Sequence, residues 1–162
     1  MRLARAGNPN DFKSQDRGSP ILDKVLMPPM WATNPDRYNA VYKALENPQI
    51  FDVYREYVPN QLYQKYFSHY KFVFCCEGAG YENHRIWESL YRGNFPVMLD
   101  TKWARTLIDL ELPILLISSI SELTAEHINS HLQKWQNWDP KICQTLWMPY
   151  WKNLILNALG NY

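Results

Sequence analysis

The run Cys76-Glu77-Gly78-Ala79-Gly80-Tyr81-Glu82-Asn83-His84-Arg85 concentrates the side chains best suited to chemistry. It follows the apolar stretch Phe72–Cys76 and leads into Asn83–Arg92, whose apolar residues recur at helical spacing, so it reads as a strand-to-helix turn. Gly78 and Gly80 would let the backbone approach a ligand closely and take positive φ values. The helix that follows offers unpaired N–H groups and the positive end of its dipole, a fit for a phosphate oxygen. Arg85 sits in the first turn, where a cation opposes that dipole. Its placement makes sense if a diphosphate is there to accept a forked pair of hydrogen bonds. Asn83 and His84 share this helix start, and His84 and Glu88 are four apart on one face. Glu88, one turn deeper, would accept from two ribose hydroxyls, and Tyr81 would cover a uracil or guanine ring. Together these residues suit a sugar nucleotide. The spacing lacks the GxGxxG of a dehydrogenase and the GK[ST] of an ATPase loop. A glycine turn between strand and helix also occurs without any ligand.

Glu77, just past a strand's carboxyl end, is the candidate general acid or base; Glu82 reads as a first-turn acid that stabilises the helix dipole. His127 and His131 are four apart on a predicted helix but lack a third ligand, and HExxH spacing is absent, so they are assigned to a solvated helix face. No metal is expected. Cys75, Cys76 and Cys143 are odd in number and show no CxxC spacing, which suits apolar packing rather than disulfides or zinc. The aromatic residues crowded between Phe51 and Phe74 are expected to be packing residues. Trp135, Trp138, Trp147 and Trp151 are expected in the core, with a docking surface as the other reading if one face stays exposed.

The segments that must position these groups alternate in type. Strands are expected at Lys24–Met27, Ile50–Tyr54, Phe72–Cys76, Phe95–Leu99 and Pro113–Ile117. Helices are expected from Asn34-Pro35-Asp36 with Tyr38, Val41, Tyr42 and Leu45 on one face, then over Gln61–Tyr70, Asn83–Arg92 and Thr101–Ile108. Two more run from Ser121 to about Gln136 and from Asp139-Pro140 to Leu159. Gly93 stands where a left-handed cap is needed. The alternation predicts an α/β fold: a Rossmann-like parallel sheet of about five strands flanked by helices, with a closing carboxy-terminal helix. Residues 24–162 form that domain and residues 1–23 an amino-terminal extension or remnant. Ligands of such sheets bind beyond the strands' carboxyl ends, which points at residues 76–88.

Composition narrows the partners. The 162 residues suit one domain, and a formal charge of +1 with no basic cluster disfavours nucleic acid. No apolar run approaches the length of a transmembrane helix, and Met1–Asp11 lacks the apolar core of a signal peptide. A soluble, cytoplasmic protein is the expectation.

The run Phe72–Leu99 resembles the donor-binding signature of exostosin-like glycosyltransferases. That pattern passes from an apolar strand through a cysteine and a Gly-x-Gly turn to Arg-x-Trp/Phe-Glu-Ala/Ser-Leu-x-x-Gly and then Pro-Val. Cys75, Gly78, Gly80, Arg85, Trp87, Glu88, Ser89, Leu90, Gly93, Pro96 and Val97 fall on it. Asn34-Pro35-x-Arg37 upstream fits more loosely, Cys76 stands where the family usually has proline, and fucosyltransferases carry a related pattern. The resemblance implies the carboxy-terminal half of a GT-B enzyme, with Gly78, Gly80 and Arg85 facing the diphosphate and Glu88 the ribose. It implies a nucleoside-diphosphate sugar as substrate, no cofactor, a saccharide acceptor, and a companion acceptor-binding lobe. A non-catalytic nucleotide-sugar-binding module is the alternative.

Overall fold

The computed structural model describes residues 20–30, 33–56 and 67–160. Its centre is a five-stranded, wholly parallel sheet in the order β2-β1-β3-β4-β5, as the alternating pattern requires. The strands are β1 (Ile21–Met27), β2 (Phe51–Val53), β3 (Tyr70–Phe74), β4 (Phe95–Leu99) and β5 (Leu115–Ile117). The helices are α1 (Pro35–Leu45), α2 (His84–Tyr91), α3 (Lys102–Asp109), α4 (Ala125–Lys134) and α5 (Met148–Ala158). β1 begins three residues ahead of the expected start at Lys24.

Continuous apolar strands mark a sheet covered on both faces, and the period of two sorts their side chains. Phe72, Phe74 and Cys76 join Val25, Met27 and Val97 under α1 and α4. Val73 and Cys75 join Leu26 and Met98 under α2 and α3. Cys75 and Cys76 therefore serve opposite cores. Burial pushes the Cys75 thiol up to about 12, which suits packing rather than reactivity. Gly93 ends α2 with φ 75°, the left-handed conformation its position demanded.

Several element boundaries and faces differ from expectation. Residues 57–66, including most of the helix expected over 61–70, lie outside the described residues; residues 67–69 are helical and Tyr70 already opens β3. In α1 the buried residues are Ala40 and Ala44, with Val41 packed beside them, while Tyr38, Tyr42 and Leu45 are exposed. Two adjacent stripes of this helix satisfy the 3–4 spacing. The one with small side chains faces inward, because alanines let the helix lie close to the sheet. The helix expected from Ser121 starts only after a 3-10 turn at Ile120–Glu122. Thr124 caps it in a reciprocal arrangement with His127. The last expected helix is broken. Lys141 N–H donates to Asp139 Oδ1 at 2.8 Å in a local turn, a 3-10 turn occupies Gln144–Leu146, and α5 restarts at Met148-Pro149, where the missing proline N–H is tolerated.

His131 is a further correction. It is buried, not solvated: Nε2 lies 3.2 Å from the Pro113 carbonyl and the ring packs 5.2 Å from Phe95 and 5.9 Å from Phe72. Burial lowers its pKa from 6.5 to about 4; the Pro113 carbonyl partly opposes this, and the positive Lys134 and Lys71 add to it. As pH falls below 6.5 the unfolded chain takes up a proton that the folded chain refuses. Stability should therefore decline between pH 6.5 and about 4, by of the order of 2–3 kcal/mol in total. Urea unfolding across this range checks the loss, and His131→Phe should remove its share of the slope. A profile of wild type and variant with identical slopes would contradict it.

Candidate active site: the crevice between β1 and β3

In a 2-1-3-4-5 order the chain turns outward in opposite directions after β1 and β3, leaving a crevice above their carboxyl ends. The connections that line it are the one from β1 to α1, described at 28–30 and 33–34, and Cys75–Asn83. Each ends in an asparagine that caps a helix. Asn34 Oδ1 accepts from Asp36 N–H at 2.9 Å, and Asn83 Oδ1 accepts from Arg85 N–H at 2.8 Å. The amino ends of α1 and α2 therefore flank one opening, with their positive dipole ends toward it.

Asn83 has a second role, because its Nδ2 donates to the Cys76 carbonyl at 2.6 Å and pins the helix start to the strand end. Asn83→Ala removes the cap and that bond together. A loss of about 1–2 kcal/mol in unfolding free energy is expected, measured by denaturant titration; an unchanged midpoint would mean water replaces both interactions.

The glycine turn is gripped from α1. Arg37 Nε donates to the Glu77 carbonyl at 2.7 Å and Nη2 to the Cys76 carbonyl at 3.4 Å, while Asn34 Nδ2 makes a long 3.5 Å contact with the Gly78 carbonyl. A Cβ on residue 78 would stand 2.8 Å from Arg37 Nη2, so the glycine leaves room for the guanidinium, and a side chain there would make the flexible end of Arg37 shift. Neither Gly78 nor Gly80 has a positive φ, contrary to the expectation from sequence; steric room explains Gly78, and Gly80 faces open space. From the opposite wall, Arg85 Nη2 donates to the Pro29 carbonyl beyond β1. The three carbonyls are neutral acceptors that orient the two guanidinium groups. Burial, the largest influence, lowers the Arg37 pKa; the Cys76 thiol raises it and the nearby positive charge of Arg85 lowers it again.

The remaining predicted residues fall around this centre. Glu88 is half-buried one turn below Arg85, and its carboxylate has no partner among the described residues. Glu77 has one carboxylate oxygen, Oε1, buried without a hydrogen bond. Tyr81, 70% exposed, and His84 lie at the rim. Glu82 precedes the cap rather than entering the first turn, and accepts from Trp87 Nε1 at 2.7 Å, closing the loop over 82–87. Buried Ser89 donates to the Arg85 carbonyl at 2.7 Å and lies 3.7 Å from Cys75 Sγ, which seats α2 on β3.

Arg37 and Asn34 were missed as site residues by the reading of sequence alone. The signal was a repeated cap: Asn34-Pro35-x-Arg37 and Asn83-x-Arg85 both place an arginine in the first turn behind an asparagine. His127 and His131 do not converge, since the first closes a cap and the second is buried in the core. Among the described residues no three metal-ligating side chains cluster, and no helix is long and apolar enough to cross a membrane. No protein-family model matches the chain, and no curated protein does either.

Proposed function

We propose that this crevice holds the diphosphate of a nucleoside-diphosphate sugar, and that the domain is the donor-binding half of an exostosin-like glycosyltransferase. The observation that carries the reading is the convergence of Arg37, Arg85 and two helix amino ends on one opening. Two positive charges held within reach of each other destabilise one another, and a doubly charged ligand reverses the sign of that interaction. Glycosyl transfer breaks the bond between the anomeric carbon and the diphosphate oxygen, and the electron pair leaves with the nucleoside diphosphate. The acceptor hydroxyl oxygen bonds to the anomeric carbon and gives up its proton. Charge on the leaving diphosphate grows through this step. Guanidinium groups already oriented by the Pro29 and Glu77 carbonyls, beside the positive ends of two helices, would stabilise it most at the transition state. Glu77, with its buried unpaired oxygen, is the candidate proton acceptor. Gly78, Gly80, Asn83, His84 and Arg85 line the phosphate side, Glu88 takes the ribose and Tyr81 covers the base.

The second reading is a module that binds nucleotide sugars without transferring them. In the first reading a saccharide acceptor comes on a companion lobe. Titration with UDP-, GDP- and ADP-sugars, with assay of released nucleotide in the presence of acceptors, separates the two. Binding with release supports the transferase, binding without release the module, and absence of binding by all three refutes both. Glu88→Ala should weaken the bound nucleotide by about 1–3 kcal/mol; an unchanged dissociation constant removes it from the ribose site.

A further inference from the structure

A groove of about 420 Å³ opens at the other end of the molecule, between the 141–147 segment and α5. Its position follows from two hydrogen bonds. Tyr91 Oη donates to the Leu146 carbonyl at 3.0 Å and Thr145 Oγ1 to the Leu110 carbonyl at 3.3 Å. Tyr91 ends α2 and Leu110 follows α3, and helices in a parallel α/β layer run back against the strands. The groove therefore lies toward the amino ends of the strands, away from the β1/β3 crevice.

Its lining has a distinct chemistry. Gln144, Asn153 and Asn157 contribute three carboxamides that make no side-chain hydrogen bond among the described residues, and Asn153 and Asn157 are one helical turn apart on α5. Trp147 supplies an aromatic wall held in place from two sides: Nε1 donates to the Pro140 carbonyl at 2.9 Å, and the ring sits 5.1 Å from that of Tyr91. Ile142, Pro149, Tyr150 and Leu154 complete the apolar surface. Among the described residues the only charged lining side chain is Lys141, and no carboxylate lines the groove.

We propose that this groove binds a neutral saccharide chain. Each carboxamide is a donor and an acceptor at once, which matches a pair of neighbouring sugar hydroxyls, and a fixed indole offers a flat face to the apolar C–H side of a pyranose. A basic peptide would find no carboxylate here, and a phosphate or polyanion would find a single ammonium. The assignment is independent of the donor reading.

The test is a tryptophan-fluorescence titration of the whole chain with cellotetraose, maltotetraose, xylotetraose and chitotetraose in turn. At least one should saturate in the millimolar range or below. The Asn153→Ala/Asn157→Ala double variant should weaken it about tenfold, since each exchange removes roughly one hydrogen bond. Both residues are exposed on a helix and alanine favours helix, so the variant should keep its melting temperature. The proposal is overturned if no tetrasaccharide saturates, if the double variant binds as well as wild type, or if Arg85→Ala abolishes the binding instead, which would place the sugar in the β1/β3 crevice.

Discussion

Arg85→Ala is expected to weaken nucleoside-diphosphate binding by about 10–100-fold while changing affinity for the bare nucleoside less than about threefold. The difference follows from where the guanidinium is held. It reaches across the crevice to the Pro29 carbonyl, a neutral acceptor that orients it without itself supplying a counter-charge. Arg85→Lys should recover part of the loss, because the charge returns but the planar fork does not. Arg37→Ala should show the same selectivity for the diphosphate with an added loss of stability, since Arg37 also ties α1 to the Glu77 and Cys76 carbonyls. Isothermal titration with the diphosphate and its nucleoside in parallel makes the comparison. Equal losses for both ligands would make the arginines struts for the turn, and the donor reading would fail with them.

Phe72→Ala should destabilise the fold by about 3–5 kcal/mol, a large part of the stability of a domain of this size. Phe72 is fully buried in the central strand, its ring edge-on to Phe95 at 5.5 Å and beside His131 at 5.9 Å. β3 is hydrogen-bonded on both sides, so the backbone cannot collapse into the space left behind. Phe72→Leu should cost much less, as most of the volume remains. Thermal and urea unfolding of the three proteins check the ranking. A loss below about 1 kcal/mol for the alanine variant would mean that this core is loosely packed. His131 should shift with it: with its aromatic neighbour removed and water admitted, the pKa should rise toward 6.5, which an imidazole titration by NMR would follow.

The parallel sheet and the position of the crevice were legible because their signals are local. FVFCC, FPVML and PILLI are apolar runs of strand length broken by glycine, proline or asparagine, and a strand buried on both faces needs no more to declare itself. Asn34, Asn83 and Thr101 stand where the helix caps are found, and the cap is a contact over two or three residues. The glycine turn was visible for the same reason, and so was Arg85 behind it. Arg37 was not, because its partners Cys76 and Glu77 are about forty residues away in sequence.

The sequence by itself determined the five strand segments, the starts of α1, α2 and α3, and that a cation sits behind a glycine turn. Hydrogen bonds within a few residues and the burial of short apolar runs settle those matters before the chain closes on itself. The tertiary structure alone decided which stripe of α1 faces inward, that His131 enters the core while His127 stays at a cap, and that two arginines from separate crossovers meet over one opening. Those outcomes depend on how near a helix can lie to the sheet and on which strand becomes the neighbour of β1, and both are fixed by packing between residues distant along the chain.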